Sequence, residues 1–117
     1  MEVLRLDHVQ LAMPAGREDE ATAFYEGVLG IPRVPKPPEL AKRGGCWFER
    51  GALRVHLGVD DGFVPARKAH PALVVRDLPA LVAALEAAGH EVRPGDQPGQ
   101  AYTDDPFGNR LELVAAD

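Results

Sequence analysis

The sequence predicts an α+β fold in which one unit is used twice, and three observations predict it. Each half of the chain carries one amphipathic helical stretch. Each helical stretch follows one strand candidate and precedes about three more. The spacings also repeat. His8 lies 22 residues before Gly30 and His70 lies 19 before Gly89, while His56 lies 26 after Gly30 and Glu112 lies 23 after Gly89. The second unit is three residues shorter on each side, an offset that loops absorb, so His8 corresponds to His70 and His56 to Glu112. The chain reads as one domain, 1–117, with units at about 1–60 and 68–117 and a linker, 60–68, within "DDGFVPARKA".

Taken in order, "VLRLDHVQLAM" is the first strand. "EDEATAFYEGVLG" is a helix, since Ala21, Phe24, Tyr25, Val28 and Leu29 recur at helical spacing; Glu18, Asp19 and Glu20 suit its positive N-terminal end, and Gly30 ends it. "IPRVPKPPEL" is too proline-rich for a central strand and reads as edge strand or loop. "CWFERGALRVHLGV" is two strands joined by a turn at Arg50 and Gly51. "AHPALVV" opens the second unit. The second helix runs through "DLPALVAALEAAG", with Asp77 as N-cap, Pro79 in the first turn, a stripe of Leu78, Leu81, Val82 and Leu85, and Gly89 as the stop. "HEVRP", "QAYTD" and "NRLELV" are its three following strands, with "RPGDQPGQ" as a second proline-glycine connection.

Composition narrows the function. A net charge of −5, with no dense Lys/Arg run, argues against a nucleic-acid partner. The N-terminal apolar residues are interrupted by Arg5, Asp7, His8 and Gln10, so they form neither a signal core nor a membrane span, and a soluble, cytoplasmic protein with no membrane partner is expected. The single cysteine, Cys46, cannot form an intrachain disulfide and reads as a packing residue.

Four polar residues interrupt apolar strands. Side chains alternate across a strand, so Glu112 faces away from Leu111 and Leu113, His56 away from Val55 and Leu57, His70 away from Leu73 and Val75, and His8 away from Val9 and Leu11. Each points away from the face that takes the helix. Two sheets curved into a cup would gather them, and a carboxylate there needs positive charge beside it. A divalent transition metal supplies it: three imidazoles and one carboxylate suit zinc, nickel, iron or manganese and leave positions for substrate. Taken singly, each histidine is more ordinarily a hydrogen-bonded core or rim residue, and His90 is given no role.

These residues resemble the vicinal oxygen chelate superfamily, the glyoxalase, bleomycin resistance protein and dioxygenase fold. "LDHVQLAM" is similar to its first strand, "ATAFYEGVLGI" to its "FYxxxLG" helix, and "YTDDPFGNRLELV" to its closing "DPxGNxxEL" hairpin. The resemblance implies two βαβββ modules forming a cupped eight-stranded mixed sheet, with helices on the convex side and metal ligands at His8, His56, His70 and Glu112. It implies a homodimer whose sites are shared between chains, His8 and His56 coming from one and His70 and Glu112 from the other. Lyase or isomerase chemistry through an enediolate or oxyanion is expected on a small molecule with adjacent oxygens, with Glu112 or His56 as base. The alternatives are an extradiol-type dioxygenase and a small-molecule binding protein of the bleomycin-resistance kind. His56 stands where glyoxalase I has Glu, which weakens that assignment; in the fosfomycin and extradiol types the match is to His8, His70 and Glu112, with His56 beside them as acid or base. Tyr102 resembles a substrate-contacting tyrosine of extradiol enzymes, against an alternative of simple packing. Arg67 and Arg54 are the candidates to meet a substrate carboxylate or phosphate, against an alternative of solvated surface charge. Trp47, Phe48, Phe63 and Phe107 either line an apolar wall or fill the core.

Overall fold

A computed structural model describes all 117 residues. The first half runs β1 (Val9–Met13), α1 (Glu18–Tyr25), β2 (Arg33–Val34), α2 (Pro38–Ala41), β3 (Cys46–Arg50) and β4 (Leu53–Val59). The second runs β5 (Ala72–Val75), α3 (Leu78–Ala87), β6 (Val92–Pro94), β7 (Gln100–Asp104) and β8 (Arg110–Ala115). Each half forms a four-stranded mixed sheet, in the orders β1-β4-β3-β2 and β5-β8-β7-β6. In both, the first strand pairs parallel with the last, and the other pairings are antiparallel. The eight strands thus make two sheets within one chain, and β1 and β5 each leave one edge unpaired.

The periodicity that marked the helices also fixes what they bury. Ala21, Phe24 and Tyr25 of α1 are at most 1 % exposed, and Leu85 of α3 is fully buried. They join Phe48, Val55 and Leu57 from the first sheet and Leu111 and Leu113 from the second in one core cluster. At the start of α3, the Asp77 carboxylate accepts from the Ala80 amide at 3.1 Å. At its end Gly89 takes φ +88, so that the His90 amide reaches the Leu85 carbonyl and the Gly89 amide the Glu86 carbonyl. That is the paired closure expected of a left-handed C-terminal glycine.

Three local expectations differ from the structure. The first strand begins at Val9; in its register β4, which starts at Leu53, offers no neighbour to residues 1–6, and Val3, Leu4 and Leu6 are exposed. Helix α1 ends at Tyr25, a turn early, since the amides of Gly27 and Leu29 reach back five residues to Thr22 and Phe24 and widen the last turn before Gly30. The segment "PELA" forms the short helix α2, started by Pro38 in its first turn, where a missing N–H costs nothing.

The "DDPFGN" turn joins the two halves. The buried Asp105 carboxylate accepts from the Tyr25 hydroxyl at 2.7 Å, from the amides of Phe107 and Asn109 at 2.9 Å each, and from the Asn109 side-chain amide at 3.0 Å. Asn109 also donates to the Ala12 carbonyl at 2.8 Å and accepts from the Ala66 amide at 3.1 Å. Helix α1, strand β1 and the linker are thereby tied to the start of β8. No helix is long and apolar enough to cross a membrane.

Candidate metal centre

Strand register sets the site. In the first sheet His56 lies between Gln10 of β1 and Trp47 of β3; in the second, Glu112 lies between Ala72 of β5 and Tyr102 of β7. His8 stands two residues before Gln10, and His70 two before Ala72. His8 is therefore placed relative to His56 as His70 is to Glu112. Leu111 and Leu113 are fully buried on the opposite face, so alternation turns Glu112 away from the core.

The second half holds the tighter pair. His70 Nε2 lies 3.0 Å from Glu112 Oε1, and its other nitrogen, Nδ1, lies 2.8 Å from the Lys68 carbonyl oxygen. A carbonyl only accepts, so Nδ1 carries the proton and donates. In the neutral ring Nε2 then presents a lone pair to a carboxylate oxygen. Two acceptors at that separation need a proton or a cation between them. This donor set suits a divalent metal: an imidazole oriented by a backbone carbonyl behind it, beside a carboxylate. The edge of Tyr102 against His70, centroids 5.5 Å apart, closes one side. Burial first, then the carboxylates of Asp96 and Glu112, holds the Tyr102 hydroxyl above the ordinary tyrosine range, so it remains a donor at neutral pH.

The first half is arranged differently. His56 is 5 % exposed and its ring is stacked between Trp47, at 4.1 Å, and His8, at 4.5 Å. Its Nε2 is 2.7 Å from Glu49 Oε2. His8 Nδ1 lies 3.0 Å from Asp7 Oδ2, which leaves its Nε2 free. The hydrogen bond from His8, and then the nearby Arg54, lowers the Asp7 carboxyl below the usual range. Of the three expected histidine ligands, His56 is thus the one whose Nε2 meets a carboxylate outside the expected ligand set.

Within one chain these residues stay as two pairs, and no three metal-ligating side chains lie together. His8 and His70 line a shared cleft of about 620 Å³ between the β1 and β5 regions. Arg54 donates to the Asp7 carboxylate at 3.1 Å, so it is held in an ion pair, while Arg67 sits exposed in the linker beside Arg93 and Arg110. Sequence reasoning did not single out Asp7, Glu49 or Arg110. Glu49 was within reach of it, because it shares a strand face with Trp47 across the hairpin from His56.

Residues 10–114 match the glyoxalase-like domain model, and the chain belongs to that family, within the vicinal oxygen chelate superfamily. A protein assigned to the glyoxalase family from Bacillus anthracis is 42 % identical, with a TM-score of 0.92 over 100 % of this chain and 98 % of that one. The fosfomycin resistance protein FosX from Listeria monocytogenes shares the fold at 17 % identity and TM-score 0.77, over 99 % of this chain and 96 % of that one. So does TnmS3, an antibiotic binding protein from Streptomyces sp. CB03234, at 22 % identity and TM-score 0.70, over 100 % of this chain and 99 % of that one. Comparison with curated proteins finds no match.

Proposed function

We propose that the chain is a metal-dependent enzyme of its superfamily, acting on a small molecule with adjacent oxygens by lyase or isomerase chemistry. The observation that carries this reading is the approach of His70 Nε2 to the Glu112 carboxylate, 3.0 Å, with the ring oriented from behind by the Lys68 carbonyl. His70 and Glu112 hold the metal with a His8 supplied by a second copy of the chain. When bound, the metal supplies Lewis-acid polarisation of two neighbouring substrate oxygens.

The remaining residues position and move protons. Glu49 only accepts when ionised, so His56 Nε2 donates to it and Nδ1 keeps the lone pair that takes a proton. Trp47 fixes the plane of that ring. Tyr102 donates from the other wall.

A two-fold dimer is supported by the molecule's surface. The chain exposes 7440 Å², whereas a compact monomer of 12.6 kDa has about 6,200 Å². The excess exceeds the roughly 800 Å² that each partner buries in a stable interface. The radius of gyration, 14.4 Å, is likewise above the roughly 13.4 Å of a compact domain. Val3, Leu4, Leu6, Val64 and Val74 are all more than 70 % exposed. Pairing two chains covers them and brings the first half of one chain to the second half of the other.

The test is solvent-deuterium exchange into a panel of α-hydroxycarbonyl and hemithioacetal compounds. We expect exchange with the metal-loaded protein, its loss after chelation and its return with added metal. Oxygen consumption with catechols and no exchange would replace isomerisation by dioxygenation. Neither activity, with metal bound, would leave a binding protein.

A further inference from the structure

The arginine at the start of β8 has no counter-ion, and the reason lies in the sheet. Arg110 is directly opposite Asp104 across the β7–β8 ladder, where an ion pair would be expected. Asp104 instead spends both oxygens on Arg93, at 2.9 and 3.2 Å. Arg110 is left with its guanidinium over the Tyr102 ring, 3.9 Å from the centroid, and its Nε is buried without a hydrogen-bond partner. An unsatisfied buried donor is a cost that native structures seldom carry without cause. Arg67, from the linker, faces the same polar cleft of about 560 Å³ and forms no ion pair either.

We propose that Arg110 and Arg67 form an anion subsite that seats a carboxylate or phosphoryl group of the substrate beside the His70–Glu112 centre. Arg110 stands two residues before Glu112 on the same strand face, about 7 Å along the chain. The assignment of this anion to the substrate rests on the metal-centre reading above; the anion's hold on the two arginines does not. It makes the substrate a small acid or phosphoryl compound whose charged group lies a few bonds from its chelating oxygens. The other charges facing the cleft are Arg93, Asp104 and Glu91. Arg93 neutralises Asp104 and lies 3.6 Å from the well-exposed Glu91, so the two uncommitted arginines set the local sign. Guanidinium groups suit such ligands because they offer paired donors to paired oxygens.

The test is a titration of the chelator-treated full-length protein with inorganic phosphate and, separately, acetate. It is followed by calorimetry and by the arginine Nε–H resonances in NMR. Without metal, the anion has no receptor but the protein. We expect saturable binding that shifts the Arg110 Nε–H signal, and a loss of about tenfold or more in affinity for both Arg110→Gln and Arg67→Gln. The exposed Arg76→Gln should match wild type. Tighter phosphate than acetate identifies a phosphoryl ligand, and the reverse a carboxylate. Arg67 is exposed, so its variant keeps the test open if Arg110→Gln misfolds. No saturable shift at Arg110, or wild-type affinity in Arg67→Gln, overturns the subsite. Zinc titration of the same samples separates the two readings. Lost zinc binding with anion binding intact refutes the metal centre alone, and the converse refutes the subsite alone.

Discussion

Replacing Asn109 by alanine removes the side chain that ties β1, the linker and the closing hairpin together. Asn109 is 1 % exposed, and its amide makes three hydrogen bonds, to the Ala12 carbonyl, the Ala66 amide and the Asp105 carboxylate. Each is worth about 1 kcal/mol net, and the bond to a carboxylate somewhat more, so the variant should lose about 3–4 kcal/mol. A chain of this length has an unfolding entropy of about 0.25 kcal/mol/K, which converts the loss to a fall in Tm of roughly 12–16 °C. Urea and thermal unfolding followed by circular dichroism measure both. Because Tyr25 meets Asp105 as well, a Tyr25→Phe, Asn109→Ala cycle should show coupling of about 1 kcal/mol. The exposed Gln97→Ala should stay within about 0.5 kcal/mol of wild type. A loss below about 1 kcal/mol for Asn109→Ala would refute the role given to this turn.

Other perturbations follow from the same geometry. Burial, and then the adjacent Asp105, pushes the Tyr25 hydroxyl well above 10, so the folded chain keeps its proton where the unfolded chain loses it. The resulting stability is complete below about pH 10 and falls above it by about 1.4 kcal/mol per pH unit; Tyr25→Phe should flatten that alkaline slope in urea titrations. Glu49→Gln should leave zinc affinity within about twofold while lowering turnover and shifting its pH profile, because the carboxylate that holds His56 is removed. An unchanged rate would return His56 to a packing role. Refolding His8→Ala with Glu112→Ala in equal amounts should restore about a quarter of wild-type metal sites if sites are shared between chains, and none if each chain builds its own.

The repeat was legible because both halves place a polar, metal-ligating side chain on each side of a helix-ending glycine with a constant three-residue offset, and strand register preserves that match. Alternation, readable in short apolar runs, turns Glu112 away from the core, whereas its pairing with His70 follows from the parallel β5–β8 ladder, which only the folded arrangement shows. The start of β1 was not legible: Leu4 and Leu6 alternate like strand residues, but strand formation needs a hydrogen-bonding neighbour, and β4 has none to offer there. Nor was the engagement of His56. Glu49 is diagonal to it across a hairpin, and which of two polar neighbours a ring prefers depends on side-chain packing by Trp47. Arg110 escaped notice because its expected partner, Asp104, is directly opposite, and only the folded arrangement shows that partner taken by Arg93.

Zinc affinity and stoichiometry, measured on protein purified without a histidine tag, decide whether His70 and Glu112 form a metal centre. The expected result is about one metal per chain, a fall in affinity of at least about tenfold for both His70→Ala and Glu112→Ala, and near wild-type affinity for His56→Ala. Unchanged affinity in both His70→Ala and Glu112→Ala would contradict it.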